Sequence, residues 1–276
     1  MPETSLCTLE IEGPVARLTL TREDVYNALN IQLISEIISI LEWIKERSVG
    51  ERGTLNDEDG APYLRVIVMS GAGKHFCAGA DINMMRDAGA KSPEENRADS
   101  ERLDRLFNSL WSHPCFTIGK IQGVALGGGA GLIACLDHVI VDSGTRIALS
   151  EGKLGILPAV IGPYVYRKVG SAEFRRLSML AGRIGAEEAL RIGLVSQLAP
   201  SLDGAEDTVV AEVLTTGPMA VTEAKKLTLT FDRWKGTDEE LRTWTLDKTS
   251  AMRGSGEGQE GLASFLEKRS PNWNEE

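Results

Sequence analysis

The sequence predicts an α/β fold built from repeated β-β-α units and completed by a helical C-terminal region. Three patterns carry that expectation. Cys7 to Ile11 and Ala16 to Leu20 alternate apolar and polar residues on either side of Gly13-Pro14, the period of a half-buried strand pair. The order apolar strand, glycine turn, helix then occurs twice, at Val66 to Asp81 and at Ile118 to Leu136. From about Glu206 onward the apolar residues recur at helical spacing.

Along the chain, Asn30 is placed to cap a helix whose apolar positions Leu33, Ile34, Ile37, Leu41 and Ile44 face a core, with Glu36, Lys45 and Glu46 on the solvent side. Ser48 to Pro62 is polar, acidic and glycine-bearing, so it reads as a surface loop. Leu64 to Met69 is a strand feeding the first glycine turn. Leu103, Leu106, Phe107, Leu110 and Trp111 mark an amphipathic helix before the second. Ile118 to Leu126 reads as one apolar strand running into Gly127-Gly128-Gly129, a short helix and a second strand pair. Pro158 and Pro163 then break the chain, helices follow at Ser171 to Leu180 and Ala186 to Ile192, and Ser196 to Leu202 leads into the tail. Tail helices are expected at Met219 to Phe231, Asp238 to Met252 and Gln259 to Lys268. The chain thus divides into a core, residues 1–200, and a helical region, residues 201–276, whose apolar faces need the core or another subunit to cover them.

Composition bounds the function. With 276 residues, 42% hydrophobic and 25% charged, the chain has the makeup of an ordinary soluble enzyme with ample length for a buried core. A net charge of -10 argues against nucleic acid or an anionic membrane surface as partner, and no run approaches the roughly 18 apolar residues of a membrane span. Cys7, Cys77, Cys115 and Cys135 lie far apart without a C-x-x-C pair, so reduced thiols in a cytoplasmic protein are expected. His75, His113 and His138 lack the spacing of metal ligands, and no metal is expected.

The chemistry concentrates between Lys120 and Gly155. Three consecutive glycines between strand and helix admit a ligand to the backbone, and the helix start offers free N–H groups with a partial positive charge. Such a place holds an oxygen that is becoming negative. The turn does not fit the dinucleotide G-x-G-x-x-G pattern, because Leu132 stands at the third glycine, and no phosphate-binding G-x-x-x-x-G-K-[ST] loop occurs. Glu151 follows the apolar run Ile147 to Leu149 and precedes Leu154 and Ile156. A carboxylate in such a setting has a raised proton affinity, which suits proton exchange with carbon and water near neutral pH. Cys77 sits by the first turn without a placed base, so it reads as a filler rather than a nucleophile.

LTREDVYNALN, GAGKHFCAGAD, the Gly127 turn, GRIGAEEALRIGLVSQL and GQEGLASFLEKRSPNW, in that order, resemble the enoyl-CoA hydratase/isomerase family, the crotonases, over the whole chain. The resemblance implies a spiral of β-β-α units with a C-terminal trimerisation region, in a homotrimer or a hexamer made of two trimers. It implies that the N–H groups of Ala80 and Gly128 grip the thioester carbonyl of an acyl-CoA while Glu151 moves the proton. Ala78, Asp81 and Ile82 would line the adenine pocket through backbone contacts, and Phe265 and Lys268 of the last helix would reach the nucleotide from a neighbouring subunit. Coenzyme A enters as part of the substrate, with no prosthetic group.

One departure is plain: family hydratases usually carry a second glutamate where this chain has Gly131. Ser150, Asp137, His138 and Tyr164 are candidates for the missing polar contact. GGGAGL with SEGKLGILPAVIGPYV is similar to bacterial methylglutaconyl-CoA or isohexenylglutaconyl-CoA hydratases, which implies hydration of a branched, carboxylated enoyl-CoA. The alternatives are a Δ3,Δ2-enoyl-CoA isomerase, which needs only one base, and a non-catalytic CoA-binding member of the family.

Overall fold

The computed structural model describes residues 1–52 and 54–274. It opens with the expected hairpin, β1 (Cys7–Glu12) antiparallel to β2 (Val15–Leu20). Helix α1 (Ile31–Glu46) follows, its first turn capped by the Asn30 side chain, which accepts from Leu33 N–H at 2.8 Å. The apolar stripe from Leu33 to Ile44 is buried, each fully covered Leu or Ile contributing about 1.5–3 kcal/mol. The polar 48–62 stretch is not a plain loop. It holds the one-turn helix α2 (Val49–Arg52) and a small antiparallel bridge between Asn56 and Pro62.

Strand β3 (Val66–Gly71) ends in the first glycine turn, then α3 (Ile82–Gly89) and α4 (Pro93–Trp111). A capping box between Ser92 and Glu95, with Pro93 in the first turn, fixes where α4 begins. The strand expected over 118–126 is two strands, β4 (Phe116–Ile121) and β5 (Val124–Leu126). Gly123, at φ +67°, turns the chain between them, and hydrophobicity alone does not report such a corner. Helix α5 (Gly128–Cys135) is buried at every residue. The second strand pair expected after α5 is two strands of different sheets, β6 (His138–Val141) and β7 (Arg146–Ala148), which do not pair with each other.

Helix α6 (Gly162–Leu180) starts well before the expected Ser171. Gly170, at φ 72°, breaks it, and the segment before that break carries no long apolar stripe to announce it. Next come β8 (Ile184–Gly185), α7 (Ala186–Arg191) and β9 (Gln197–Leu198). The all-helical part is α8 (Leu202–Thr215), α9 (Pro218–Arg233), α10 (Asp238–Gly254) and α11 (Gly256–Glu267).

Two sheets result. The larger has the order β1-β2-β3-β4-β6-β9, parallel from β2 onward, and the smaller is β5-β7-β8. The units β4-β5-α5 and β6-β7-α6 therefore each give one strand to each sheet before the helix returns, which is the spiral. Helices α1, α4 and α5 belong to the main core with Leu18, Ile67 and Phe76. On the other sheet face Val66, Val68, Ile118 and Ile140 pack against Val209, Val210 and Val213 of α8. That helix begins at Leu202, earlier than expected. Glu206 is buried within it, drawn to Lys120 at 2.9 Å.

Candidate active site

The two glycine turns are stitched together by backbone hydrogen bonds. Cys77 N–H donates to Val124 C=O at 3.1 Å, Leu126 N–H donates to Cys77 C=O at 3.0 Å, and Leu29 N–H donates to Gly79 C=O at 2.7 Å. Gly127 N–H donates to Ala148 C=O at 2.8 Å, which ties the second turn to β7 and so to Glu151 just beyond it. Among the donors left over, two meet. Among the described residues, neither Ala80 N–H nor Gly128 N–H has an acceptor. They lie side by side: a Cβ built on Gly128 would sit 3.6 Å from the Ala80 nitrogen, and one on Gly79 would sit 3.4 Å from the Gly128 nitrogen. Gly128 is also the first residue of α5, so the helix dipole adds to the pull on an anion.

Glycine is required here by geometry. Gly127 has φ 48° and ψ -114°, and a side chain there would begin 3.1 Å from Glu151 Oε1. A Cβ on Gly129 would come within 2.4 Å of the Cys77 carbonyl oxygen. Glu151 lies in a short 3-10 turn, Ser150–Leu154, and its Oε2 is buried without a hydrogen-bond partner. Burial pushes its carboxyl above the ordinary carboxylate range, against a smaller opposing pull from its own backbone N–H. Ala80, Gly128 and Glu151 line one cavity of about 360 Å³, together with α3, α4 and the segment from Ile156 to Ile161. The cavity can polarise a carbonyl and exchange a proton beside it.

A family profile for enoyl-CoA hydratase/isomerase matches residues 10–276. The chain belongs to this family. An enoyl-CoA hydratase from Shewanella pealeana has a structure similar to it at TM-score 0.89 and 35% identity, covering 98% of this chain and 97% of that one. Pseudomonas aeruginosa AtuE is similar at TM-score 0.88 and 30% identity, covering 98% and 100%. A short-chain-enoyl-CoA hydratase from Clostridium acetobutylicum is 32% identical over 222 residues, 79% of this chain and 78% of that one. The protein is thus an acyl-CoA enzyme of the crotonase fold, in a family whose named members include hydro-lyases.

In this hydratase/isomerase the place of the second glutamate is physically filled. A Cβ on Gly131 would lie 2.3 Å from Ile161 Cγ2 and 3.0 Å from Phe107 Cε1. Three of the four residues proposed as substitutes lie elsewhere. Asp137 accepts from Thr117 and pairs with Lys225 at 2.5 Å, His138 meets Gln197, and Tyr164 packs tilted against Phe107 and edge-on to Trp111. Only Ser150 is close, its Oγ 3.4 Å from the Cβ position of Gly127. Lys225 of α9 is 10% exposed and donates to the Cys115 carbonyl at 2.7 Å. Cys77 is fully buried, and burial pushes its thiol up to about 12, which suits a filler.

The residues expected at the nucleotide lie outside the cavity lining. The N–H of Ala78 is taken by Tyr26 C=O and that of Asp81 by Leu29 C=O; the Asp81 C=O in turn accepts from Met85 N–H at 3.0 Å, which leaves the Ala78 carbonyl without a backbone donor among the described residues. The Asp81 side chain caps α3 and faces Arg22 at 3.4 Å, while Ile82 is exposed. Phe265 and Lys268 sit at the end of α11, Phe265 being 82% exposed. Sequence reasoning missed Ile161 and Phe107 as cavity walls. Their signal was present in the chain, since both belong to apolar runs, but which wall they form depends on how α4 and the 156–161 segment meet α5.

Proposed function

We infer that this enzyme hydrates a branched or carboxylated enoyl-CoA, in the manner of methylglutaconyl-CoA hydratases, with Glu151 as its single acid/base. The observation that carries the reading is the convergence of one half-buried carboxyl, its Oε2 covered and unpartnered, and two acceptor-free amides on one cavity whose wall is mostly hydrocarbon. Ionised Glu151 takes a proton from water as the water oxygen bonds to Cβ. The π electrons move onto the thioester oxygen, which Ala80 and Gly128 N–H hold, and Glu151 returns the proton to Cα. Each amide supplies on the order of 3 kcal/mol of barrier reduction. The wall of Ile161 and Phe107 suits an alkyl branch where a second carboxylate would exclude one.

The same wall favours a second reading, migration of a double bond, because a proton shuttled between two carbons needs one base and no water. Turnover of 3-methylglutaconyl-CoA, crotonyl-CoA and a 3-enoyl-CoA separates the two. Water addition to the first is expected, and bond migration of the third without hydration of either other thioester overturns it. Either reaction needs Glu151 ionised, so kcat/KM should fall on acidification with an apparent pKa above the ordinary carboxylate range. An acid limb at or below the ordinary value contradicts the assignment.

In this reading coenzyme A runs past the carbonyls of Ala78 and Asp81 and the exposed Ile82, and Phe265 and Lys268 come from a neighbouring subunit of a homotrimer or hexamer. The exposure of Phe265 and Leu266, 82% and 79%, supports a covering partner. Four buried, unpaired thiols suit a reducing cytoplasm. No helix among the described residues is long and apolar enough to cross a membrane.

A further inference from the structure

The cavity wall is mostly hydrocarbon, yet one turn of α4 turns a polar face into it. Besides Glu151, its polar side chains are Asn96, Asp99 and Ser100. Spacings of three and four residues place them on one helix face, in line with Leu103 and Phe107. Phe107 marks the catalytic end, since it touches the space above Gly131. At a rise of about 1.5 Å per residue, Asn96 to Ser100 stand about 10–16 Å from Phe107 along the helix axis. A crotonyl group in contact with Glu151 does not span that distance, whereas a longer chain or branch does.

The turn is rich in donors. Asp99 is already engaged, by Lys91 at 2.7 Å and by Arg102 at 2.8 Å, so two cations stand against one carboxylate. Both residues are exposed to solvent: the Ser100 hydroxyl donates to the Asn96 carbonyl at 3.3 Å, and the Asn96 side-chain amide has no partner among the described residues, its backbone N–H being taken by Ser92 C=O at 2.9 Å. A hydrocarbon chain seated there would bury these groups unpaired, at a cost. A terminal anion would pair with them.

We propose that Asn96 and Ser100, backed by the Lys91–Asp99–Arg102 cluster, bind a carboxylate at the distal end of a medium-length acyl chain or branch, and so set which enoyl-CoA the enzyme prefers. The proposal rests on the hydration reading above for the other end of the substrate. The test compares enoyl-CoA thioesters of equal medium length that end in carboxylate, hydroxyl or methyl. The carboxylate should be favoured over methyl by about tenfold or more in kcat/KM, the range of one charge-assisted hydrogen bond, with hydroxyl between them. Asn96→Leu combined with Ser100→Ala should bring the carboxylate-to-methyl ratio close to one, and Arg102→Met should lower the carboxylate-to-hydroxyl ratio. Equal or better use of the methyl-ended thioester overturns the proposal, as does a double variant that slows both thioesters in the same proportion. Calorimetric Kd values for the saturated acyl-CoA pair read the same ratio without chemistry. An enzyme that turns over none of the thioesters therefore contradicts the hydration reading, while its Kd ratio still decides this one.

Discussion

Glu151→Gln is expected to lower kcat by on the order of 10²–10⁴ and, at neutral pH, to raise the melting temperature. Both effects come from one carboxyl. Gln keeps the shape and can still donate a hydrogen bond, but it cannot take a proton from water and give it to carbon. In stability the sign runs the other way. Burial raises the folded-state pKa of Glu151 above its unfolded value, so between those two values the folded chain holds the extra proton. Stability from this group is therefore highest at low pH and is lost as pH rises through that window, because an ionised carboxylate with an unpartnered oxygen is then left in the cavity wall. The glutamine variant escapes that loss. Thermal unfolding of both proteins at neutral and at acidic pH measures it: the gain should shrink as the pH drops. An equal gain at both pH values, or undiminished turnover, would contradict the role given to Glu151.

Gly131→Glu, which restores the acid usual in the family's hydratases, is expected to destabilise the fold by about 1–3 kcal/mol without improving hydration. The first carbon of any side chain meets Ile161 Cγ2 at 2.3 Å and Phe107 Cε1 at 3.0 Å, and both walls are buried, Phe107 to 1% and Ile161 to 4%. α5 is itself enclosed at every residue and cannot shift aside. Adding Ile161→Ala should recover part of the lost stability. Chemical denaturation of the single and double variants, with crotonyl-CoA hydration assayed alongside, checks both statements. A single variant as stable as the parent would show that the position is not filled as described.

Much of this was legible in the chain because it depends on local chemistry. The Asn30 cap, the stripe of α1, the opening hairpin and the two glycine turns each follow from a short pattern whose physical meaning does not change with context. The inner corner at Gly123 and the early start of α6 were not legible, because a single glycine reads alike whether it ends a strand or merely interrupts one. Lys225 shows the same limit from the other side. Its helical spacing suggests solvent, but α9 lies close enough to the Cys115 segment to bury the ammonium against a carbonyl and Asp137.

By itself the sequence determined that a three-glycine turn stands between a strand and a helix, that one acid follows the apolar run Ile147 to Leu149, and that position 131 has no side chain to offer. Those are properties of residue type and order. Only the tertiary structure decided that Ala80 and Gly128 present their free amides side by side, that Ile161 and Phe107 close the space above Gly131, and that a polar turn of α4 faces the far end of the same cavity. The physical reason is distance along the chain: residues tens of positions apart meet through the stacking of β-β-α units, and the clearances that decide the chemistry are a few ångströms, set by packing between elements rather than by any pattern within one.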